Sequence, residues 1–177
     1  MNLAKINPDL VNRRSIRLKN YNYSQVGFYF VTICTQNHAK YFGEINKGVM
    51  ELNDAGKMIC RWYEKLEQNF SNVKNDVMIV MPNHIHFITQ IHHVNNTNTQ
   101  TGEHTGSPLH KIIQWFKTMT TNEYIKHVKT GAFPPFEKRL WQRNYWEHII
   151  RNEKSYHDII QYIENNPANW DLDEYTQ

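Results

Sequence analysis

Val77-Met78-Ile79-Val80-Met81-Pro82-Asn83-His84-Ile85-His86-Phe87-Ile88-Thr89-Gln90-Ile91 is the stretch of sequence that decides the fold. Its first five residues are all apolar, which is typical of a strand covered on both faces, and Pro82-Asn83 then interrupts the pattern as turn residues do. We predict a second strand after this turn. Because side chains alternate across a strand, His84 and His86 should leave by one face and the apolar residues that follow them by the other.

The His84 and His86 pair has two interpretations. Two neutral imidazoles held side by side form a metal chelate or a pair of general bases. Alternatively, they are two surface or partly buried histidines that alternate by chance, since the motif is short and the chain contains 10 histidines. A pair carried by a rigid strand beside apolar neighbours favours a functional site.

Composition indicates one folded domain over residues 1–177. With 40% hydrophobic and 13% aromatic residues, the chain can bury a sizeable core. The sequence has no run of about 20 apolar residues and no apolar stretch near Met1, so we expect a cytoplasmic protein without a membrane partner. Cys34 and Cys60 are isolated from each other, and we expect both to be reduced.

Charge is unevenly distributed although the net value is only +3. A basic N-terminal arm, about residues 1–27, has a single acid, Asp9, and carries Lys5, Arg13, Arg14, Arg17 and Lys19. Such an arm can neutralise phosphates, with Tyr21 and Tyr23 available to stack on bases, or it can be a solvated tail. A second segment, about residues 93–106, is mostly polar and is predicted to be a mobile loop.

The other elements follow from periodicity and capping. We predict a strand over residues 28–35, a hairpin over 41–52, a helix from Asn53 or Asp54 to about Phe70, and a helix beginning at Ser107-Pro108. A short strand at residues 139–143 and a last helix capped by Asn152 complete the chain. In that helix Tyr162 lies roughly 110° from the apolar stripe and shares a face with Asn166. This order predicts an α+β fold, an antiparallel sheet with helices packed on it in a ferredoxin-like sandwich.

Six segments together resemble a known family, and they are spread over nearly the whole chain: Arg14-Ser15-Ile16-Arg17-Leu18, Tyr29-Phe30-Val31-Thr32-Ile33-Cys34-Thr35, Met81-Pro82-Asn83-His84-Ile85-His86, Phe116-Lys117, Trp141-Gln142-Arg143-Asn144-Tyr145 and Tyr162-Ile163-Glu164-Asn165-Asn166-Pro167. They resemble the HUH single-tyrosine transposases of small bacterial insertion sequences. The similarity is closer to their domesticated branch, the REP-associated tyrosine transposases.

The resemblance implies an HUH fold and a nuclease and strand transferase acting on single-stranded DNA, often beside a hairpin. It makes His84 and His86 metal ligands and Tyr162 the nucleophile. The mobile members of the family have Gln four residues after the tyrosine, where this chain has Asn166. Because Pro167 should pull Asn166 out of the α region, either the helix lies closer to the sheet or His148 or water supplies the third ligand.

Metal chemistry and nucleophile choice each leave an alternative. Two imidazoles and an amide favour Mn²⁺ or Zn²⁺ over Mg²⁺, whereas the resemblance implies Mg²⁺ or Mn²⁺, so Mn²⁺ satisfies both arguments. Without the resemblance, Tyr145 would rank close to Tyr162 as nucleophile, while Tyr156 lies in the apolar stripe.

The expected partner is single-stranded DNA with a hairpin, bound by a monomer or a homodimer. Candidate DNA-binding cations, besides those of the basic arm, are Lys111, Lys117, Arg143 and Arg151. Two other functions remain open: a hairpin-binding protein that no longer cuts, and a metal-dependent hydrolase that uses water.

Overall fold

The computed structural model of this protein describes residues 26–93 and 108–172. The predicted basic arm up to residue 25, with Arg13, Arg14, Arg17 and Lys19, lies outside the described residues. The predicted loop from residue 94 onward also lies outside them.

A four-stranded antiparallel sheet forms the centre of the fold. Its strands are β1 (Gly27–Cys34), β4 (Val73–Val80), β5 (His84–Ile91) and β6 (Trp146–Ile150), in the spatial order β4-β5-β1-β6. A separate hairpin consists of β2 (Gly43–Asn46) and β3 (Val49–Leu52). The central position of β1 and β5 follows from their sequences, because both are rich in the β-branched and aromatic residues that pack well in a buried sheet.

Three α-helices pack on this sheet: α1 (Asp54–Asn69), α2 (Pro108–Lys129) and α3 (Glu153–Asn165). The Asn53 side chain caps α1 by accepting a 2.9 Å hydrogen bond from the Gly56 backbone N–H. Asn152 caps α3 in the same way through Ser155, at 2.8 Å. Two short 3₁₀ segments, Gln36–His38 and Pro167–Leu172, follow β1 and α3.

The two faces of the sheet bury different residues. Tyr29, Val31 and Phe87 belong to the larger core that the sheet forms with α1 and α2. Phe30, Ile88 and Ile163 belong to a smaller core between the opposite face and α3. The predicted fold class, an antiparallel sheet with helices packed on it, is therefore confirmed.

The position predicted for the last strand is wrong. Residues 139–143 contribute only a single bridge, between Thr35 and Trp141, and the strand lies at Trp146–Ile150 instead. Consecutive Leu140 and Trp141 are both buried, whereas a strand with one covered face buries alternate residues. The segment is a loop tied to the end of β1 by two backbone hydrogen bonds, Gln36 N–H to Leu140 O and Gln142 N–H to Cys34 O.

The strand predicted from Val77 begins four residues earlier, at Val73, and is an edge strand rather than one covered on both faces. Its register against β5 shifts between Asn75 and Met78, and Val77 to Ile79 stay partly exposed. The predicted β1, hairpin and α1 agree with the structure to within a few residues.

Both cysteines are free thiols, Cys34 buried in β1 and Cys60 half-buried in α1. Within residues 26–93 and 108–172, no helix has the length and apolar character needed to span a bilayer.

Candidate functional site

The histidine pair lies at the start of β5, immediately after the Pro82-Asn83 turn, and faces α3. His84 and His86 are opposite Cys34 and Thr32 of β1, and the side chains are 0% and 1% exposed. Their Nε2 atoms lie 3.0 Å apart. Strand alternation therefore brings two ring nitrogens to one point, as the His-x-His spacing predicts.

A second set of hydrogen bonds orients both rings. His84 Nδ1 lies 2.7 Å from Asn83 Oδ1, and His86 Nδ1 lies 2.8 Å from Thr32 Oγ1. Because an amide oxygen can only accept, His84 carries its proton on Nδ1, and its Nε2 presents a lone pair toward His86. Metal-binding histidines are held in this way by an outer hydrogen-bond partner.

Burial keeps both imidazoles neutral. Desolvation lowers the pKa of His84 to about 3, with a further lowering by His38 and an opposing effect of the Asn166 side chain. Burial, and then the neighbouring His84, lower the pKa of His86 well below its usual value. Neutral imidazole is the form that binds a metal ion, so both rings are in their ligand form at neutral pH.

Tyr162 reaches the pair from α3. Its hydroxyl lies 3.4 Å from His86 Nε2, and the two rings meet edge to face at 5.2 Å. Phe30 supports the phenol from the sheet, with ring centres 6.0 Å apart. The phenol is half-buried, so one side of the nucleophile candidate is open to solvent.

Asn166 lies one helical turn beyond Tyr162 and is 3% exposed. Its side chain is close enough to His84 to favour the protonated ring, yet its Oδ1 is buried and makes no hydrogen bond of ordinary geometry to another described residue. A buried amide oxygen in that position costs free energy unless a donor or a cation satisfies it.

The expectation that Pro167 pulls Asn166 out of the α region is wrong. Asn166 has φ −58° and ψ −43°, and its N–H still donates to Ile163 O. The turn continues into the 3₁₀ segment, where Asn169 N–H donates to Asn166 O and Trp170 is buried against the His84 ring, with centres 6.0 Å apart. These contacts outweigh the local preference before proline, and they bring Asn166 close to the sheet.

The donor set fits a divalent cation. His84 Nε2, His86 Nε2 and Asn166 Oδ1 are neutral donors of the types that bind Mn²⁺ and Zn²⁺. Among residues 26–93 and 108–172 there is no group of three or more His, Cys, Asp or Glu side chains suited to a metal. A metal at this site would therefore depend on the amide as well as the two imidazoles.

Comparisons with known proteins show what the whole chain is similar to. No protein-family model matches the chain. An uncharacterized protein of Haemophilus influenzae (strain ATCC 51907 / DSM 11121 / KW20 / Rd) is 38% identical over 180 residues, 97% of each chain. A second protein of that strain, named "Putative REP-associated tyrosine transposase", is 27% identical over 156 residues, 85% of this chain and 77% of the relative.

A solved structure of a REP-associated tyrosine transposase bound to a REP hairpin has the same fold. It aligns with a TM-score of 0.54 and 20% identity, over 87% of this chain and 74% of that chain. The chain is therefore similar in sequence to a protein named as a REP-associated tyrosine transposase and shares the fold of a solved one.

Three other side chains considered from the sequence lie away from the histidine pair. His148 is on edge strand β6 opposite Phe30, separated from β5 by β1, so it does not join the two imidazoles. Tyr156 donates a 2.6 Å hydrogen bond to Asp76, which raises its pKa to about 12. Tyr145 packs on the core of the opposite face, beneath the Lys117 ammonium.

The candidate DNA-binding cations differ in their surroundings. Lys117 is not available to a phosphate in this structure, because its Nζ donates to the carbonyls of Gln142, Arg143 and Asn144 at 3.0, 3.4 and 3.3 Å. Burial lowers its pKa to about 8. Lys111, Arg143 and Arg151 are exposed.

Three residues of the site were not singled out from the sequence. Asn83 and Thr32 orient the two imidazoles, and Trp170 stacks on His84. Of these three residues, only Asn83 could have been found from the sequence, since it directly precedes His84 in the His-x-His motif. The Thr32 contact joins residues 54 positions apart, so no sequence period could have revealed it.

Proposed function

We propose that this protein cuts and rejoins single-stranded DNA in a metal-dependent reaction, through a 5′-phosphotyrosine formed by Tyr162, on DNA that contains a hairpin. The observation that carries the proposal is the approach of Tyr162 to the imidazole pair, 3.4 Å from hydroxyl to His86 Nε2. A phenol aimed at a set of metal-ligand donors is the arrangement that attack on a bound phosphate requires.

In this proposal the residues have separate roles. His84, His86 and Asn166 would hold a divalent ion, Mn²⁺ or Mg²⁺. When bound, such an ion polarises the phosphodiester and stabilises the charge that develops in the transition state. Thr32 and Asn83 fix the two rings, and Phe30 holds the phenol at the edge of the site.

Tyr162 supplies the covalent step. Its oxygen forms a bond to phosphorus while the bond to the 3′-oxygen of the departing strand breaks. The phenol gives up its proton, and the departing 3′-oxygen takes up one to become a free hydroxyl. The phosphotyrosine keeps the linkage energy of the phosphodiester, so a free 3′-hydroxyl can attack it and restore the DNA without ATP. A strand transferase retains this linkage energy in the covalent intermediate, whereas a hydrolase loses it to water.

The DNA partner is proposed from the relatives. A family member of the same fold is described in complex with a REP hairpin, and this chain has exposed cations at Lys111, Arg143 and Arg151. Single-stranded DNA with a hairpin is therefore the substrate class to test first.

The deciding experiment incubates the protein with single-stranded oligonucleotides from the flanks of its own gene, with Mn²⁺ or Mg²⁺. We expect a protein–DNA species that survives denaturing electrophoresis, together with a free 3′-hydroxyl fragment. Nicking without a protein-linked end would instead indicate a hydrolase. Salt-sensitive binding without metal-dependent nicking would indicate a binding protein that no longer cuts.

A further inference from the structure

Trp146 and His148 form a pair of parallel aromatic rings on β6. Their planes differ by 7° and their centres lie 5.9 Å apart. Both side chains point to the sheet face that carries the histidine pair, since they alternate with Glu147 along the strand. We call these two residues the β6 platform.

The β6 platform is in register with the candidate site. Thr32 of β1 pairs with His86 on one side and with Trp146 on the other. Two strand spacings separate the backbones of His86 and Trp146, roughly 9.5 Å. Phe30, which contacts both the His86 and Tyr162 rings, also contacts Trp146 edge to face at 5.5 Å.

The platform is only partly covered. Ile150 and Ile163 close the smaller core between β6 and α3, but Trp146 remains half-buried and His148 is exposed. Arg151, directly after the strand, is exposed. An aromatic surface with a cation at its end, next to a site that handles phosphates, has the features of a single-strand binding surface.

We propose that the β6 platform binds an unstacked nucleobase of the DNA strand close to the phosphate that Tyr162 attacks. This inference rests on the proposed function and adds a subsite to it. In this proposal the exposed His148 ring provides the stacking surface. The parallel Trp146 ring packs against it and fixes its orientation. Arg151 would contact the phosphate next to the stacked base. His148 then serves as a flat ring, and its nitrogens are not ligands.

The test combines oligonucleotides that each lack one base with protein variants that lack the His148 ring, and it measures binding. Labelled single-stranded oligonucleotides from the gene's flanks carry a single abasic site, moved stepwise past the cut, and binding is followed by fluorescence anisotropy with chelator present so that no cleavage occurs. We expect one abasic position to weaken binding to the wild-type protein by about tenfold, the order of one base–aromatic stack.

Two variants of His148 distinguish a role as a stacking ring from a role as a metal ligand. His148→Ala should bind the intact oligonucleotide about tenfold more weakly and lose its sensitivity to that abasic position. His148→Phe, which keeps a ring and has no nitrogen, should retain both affinity and sensitivity. Unchanged binding by His148→Ala, or sensitivity to the same abasic site that persists in it, would overturn the proposal.

The covalent adduct, measured separately with Mn²⁺ on a denaturing gel, tests the proposed function. An adduct without any abasic effect would overturn the platform alone. The abasic effect without an adduct would support the platform and overturn cleavage by Tyr162. Trp146→Phe gives a second check, because it keeps a ring beneath His148 and should leave the abasic pattern in place.

Discussion

Thr32 and His86 are cross-strand partners whose side chains share a 2.8 Å hydrogen bond between Oγ1 and Nδ1. This contact fixes the orientation of the imidazole that also faces Tyr162. If the proposed function holds, Thr32 is therefore expected to control both the metal affinity of His86 and the position of its ring relative to Tyr162.

Replacing Thr32 by Val keeps its shape and removes the oxygen that orients His86. We expect Mn²⁺ to bind about 10- to 100-fold more weakly, as for other partners of metal-bound histidines. Titration calorimetry with Mn²⁺ measures this directly. Thr89→Val is the matched control, since Thr89 is also buried and donates to Lys74 O on the opposite face of the sheet; equal losses of Mn²⁺ affinity in both variants would contradict the role of Thr32.

Tyr162→Phe should abolish the covalent adduct while binding of the oligonucleotide stays within about twofold, because only the nucleophilic oxygen is lost. Tyr156→Phe is the control from the same helix. It removes the hydrogen bond to Asp76, at a cost of about 1 kcal/mol in the free energy of unfolding, and should leave the adduct in place. The decisive measurement is denaturing electrophoresis with Mn²⁺, where an adduct that survives in Tyr162→Phe would remove Tyr162 from its proposed role.

Lys117 should give the stability of the fold a pH dependence. Burial lowers its pKa in the folded protein to about 8 from 10.5, so the unfolded chain binds more protons between those values and the free energy of unfolding rises with pH there. Relative to Lys117→Met, the wild-type protein should gain about 2 kcal/mol between about pH 7.5 and pH 10.

Urea unfolding of both proteins at the two pH values measures the Lys117 effect, because all other titrating groups are common to both. A difference in unfolding free energy that does not change with pH would mean that the three backbone carbonyls around Nζ compensate fully for burial.

Gly56→Ala should destabilise the protein although Ala is the better helix former. A Cβ at Gly56 would clash with the Phe42 carbonyl oxygen and lie 2.8 Å from Leu52 Cδ2. The clash, about 1 to 3 kcal/mol, exceeds the propensity gain of about 1 kcal/mol. Thermal unfolding compares it with Gln68→Ala at an exposed position of α1, and a Gly56→Ala protein that melts above wild type would show that the hairpin can move away from α1.

Periodicity in the sequence was sufficient to predict which side chains share a face in elements that bury only one face. The alternation at His84 to Phe87 predicted which face carries the imidazoles, and the spacing of Tyr162 and Asn166 predicted that they share a side of α3. Both signals depend on neighbours within one strand or one helical turn, so a single sequence contains them.

The errors arose where tertiary contacts override local preference. The sequence from Arg139 to Arg143 predicts a strand. In the structure, Leu140 and Trp141 are both buried in a loop that is hydrogen-bonded to the end of β1. Pro167 disfavours an α conformation at Asn166, yet the contacts of Trp170 and the continuing turn hold it there. Lys117 falls off the apolar stripe of α2, but the loop after Trp141 folds over its ammonium.

The helical conformation of Asn166 places two candidate site residues on the same end of α3. Tyr162 lies in the last turn of α3, and Asn166, four residues on, is its C-cap with helical φ and ψ, so the backbones that carry the phenol and the amide move together with the end of this helix. Any tilt of α3 that withdraws the phenol from the sheet also withdraws the amide from His84. Under the proposed function, one displacement of the helix end would therefore remove both the proposed nucleophile and the proposed amide ligand.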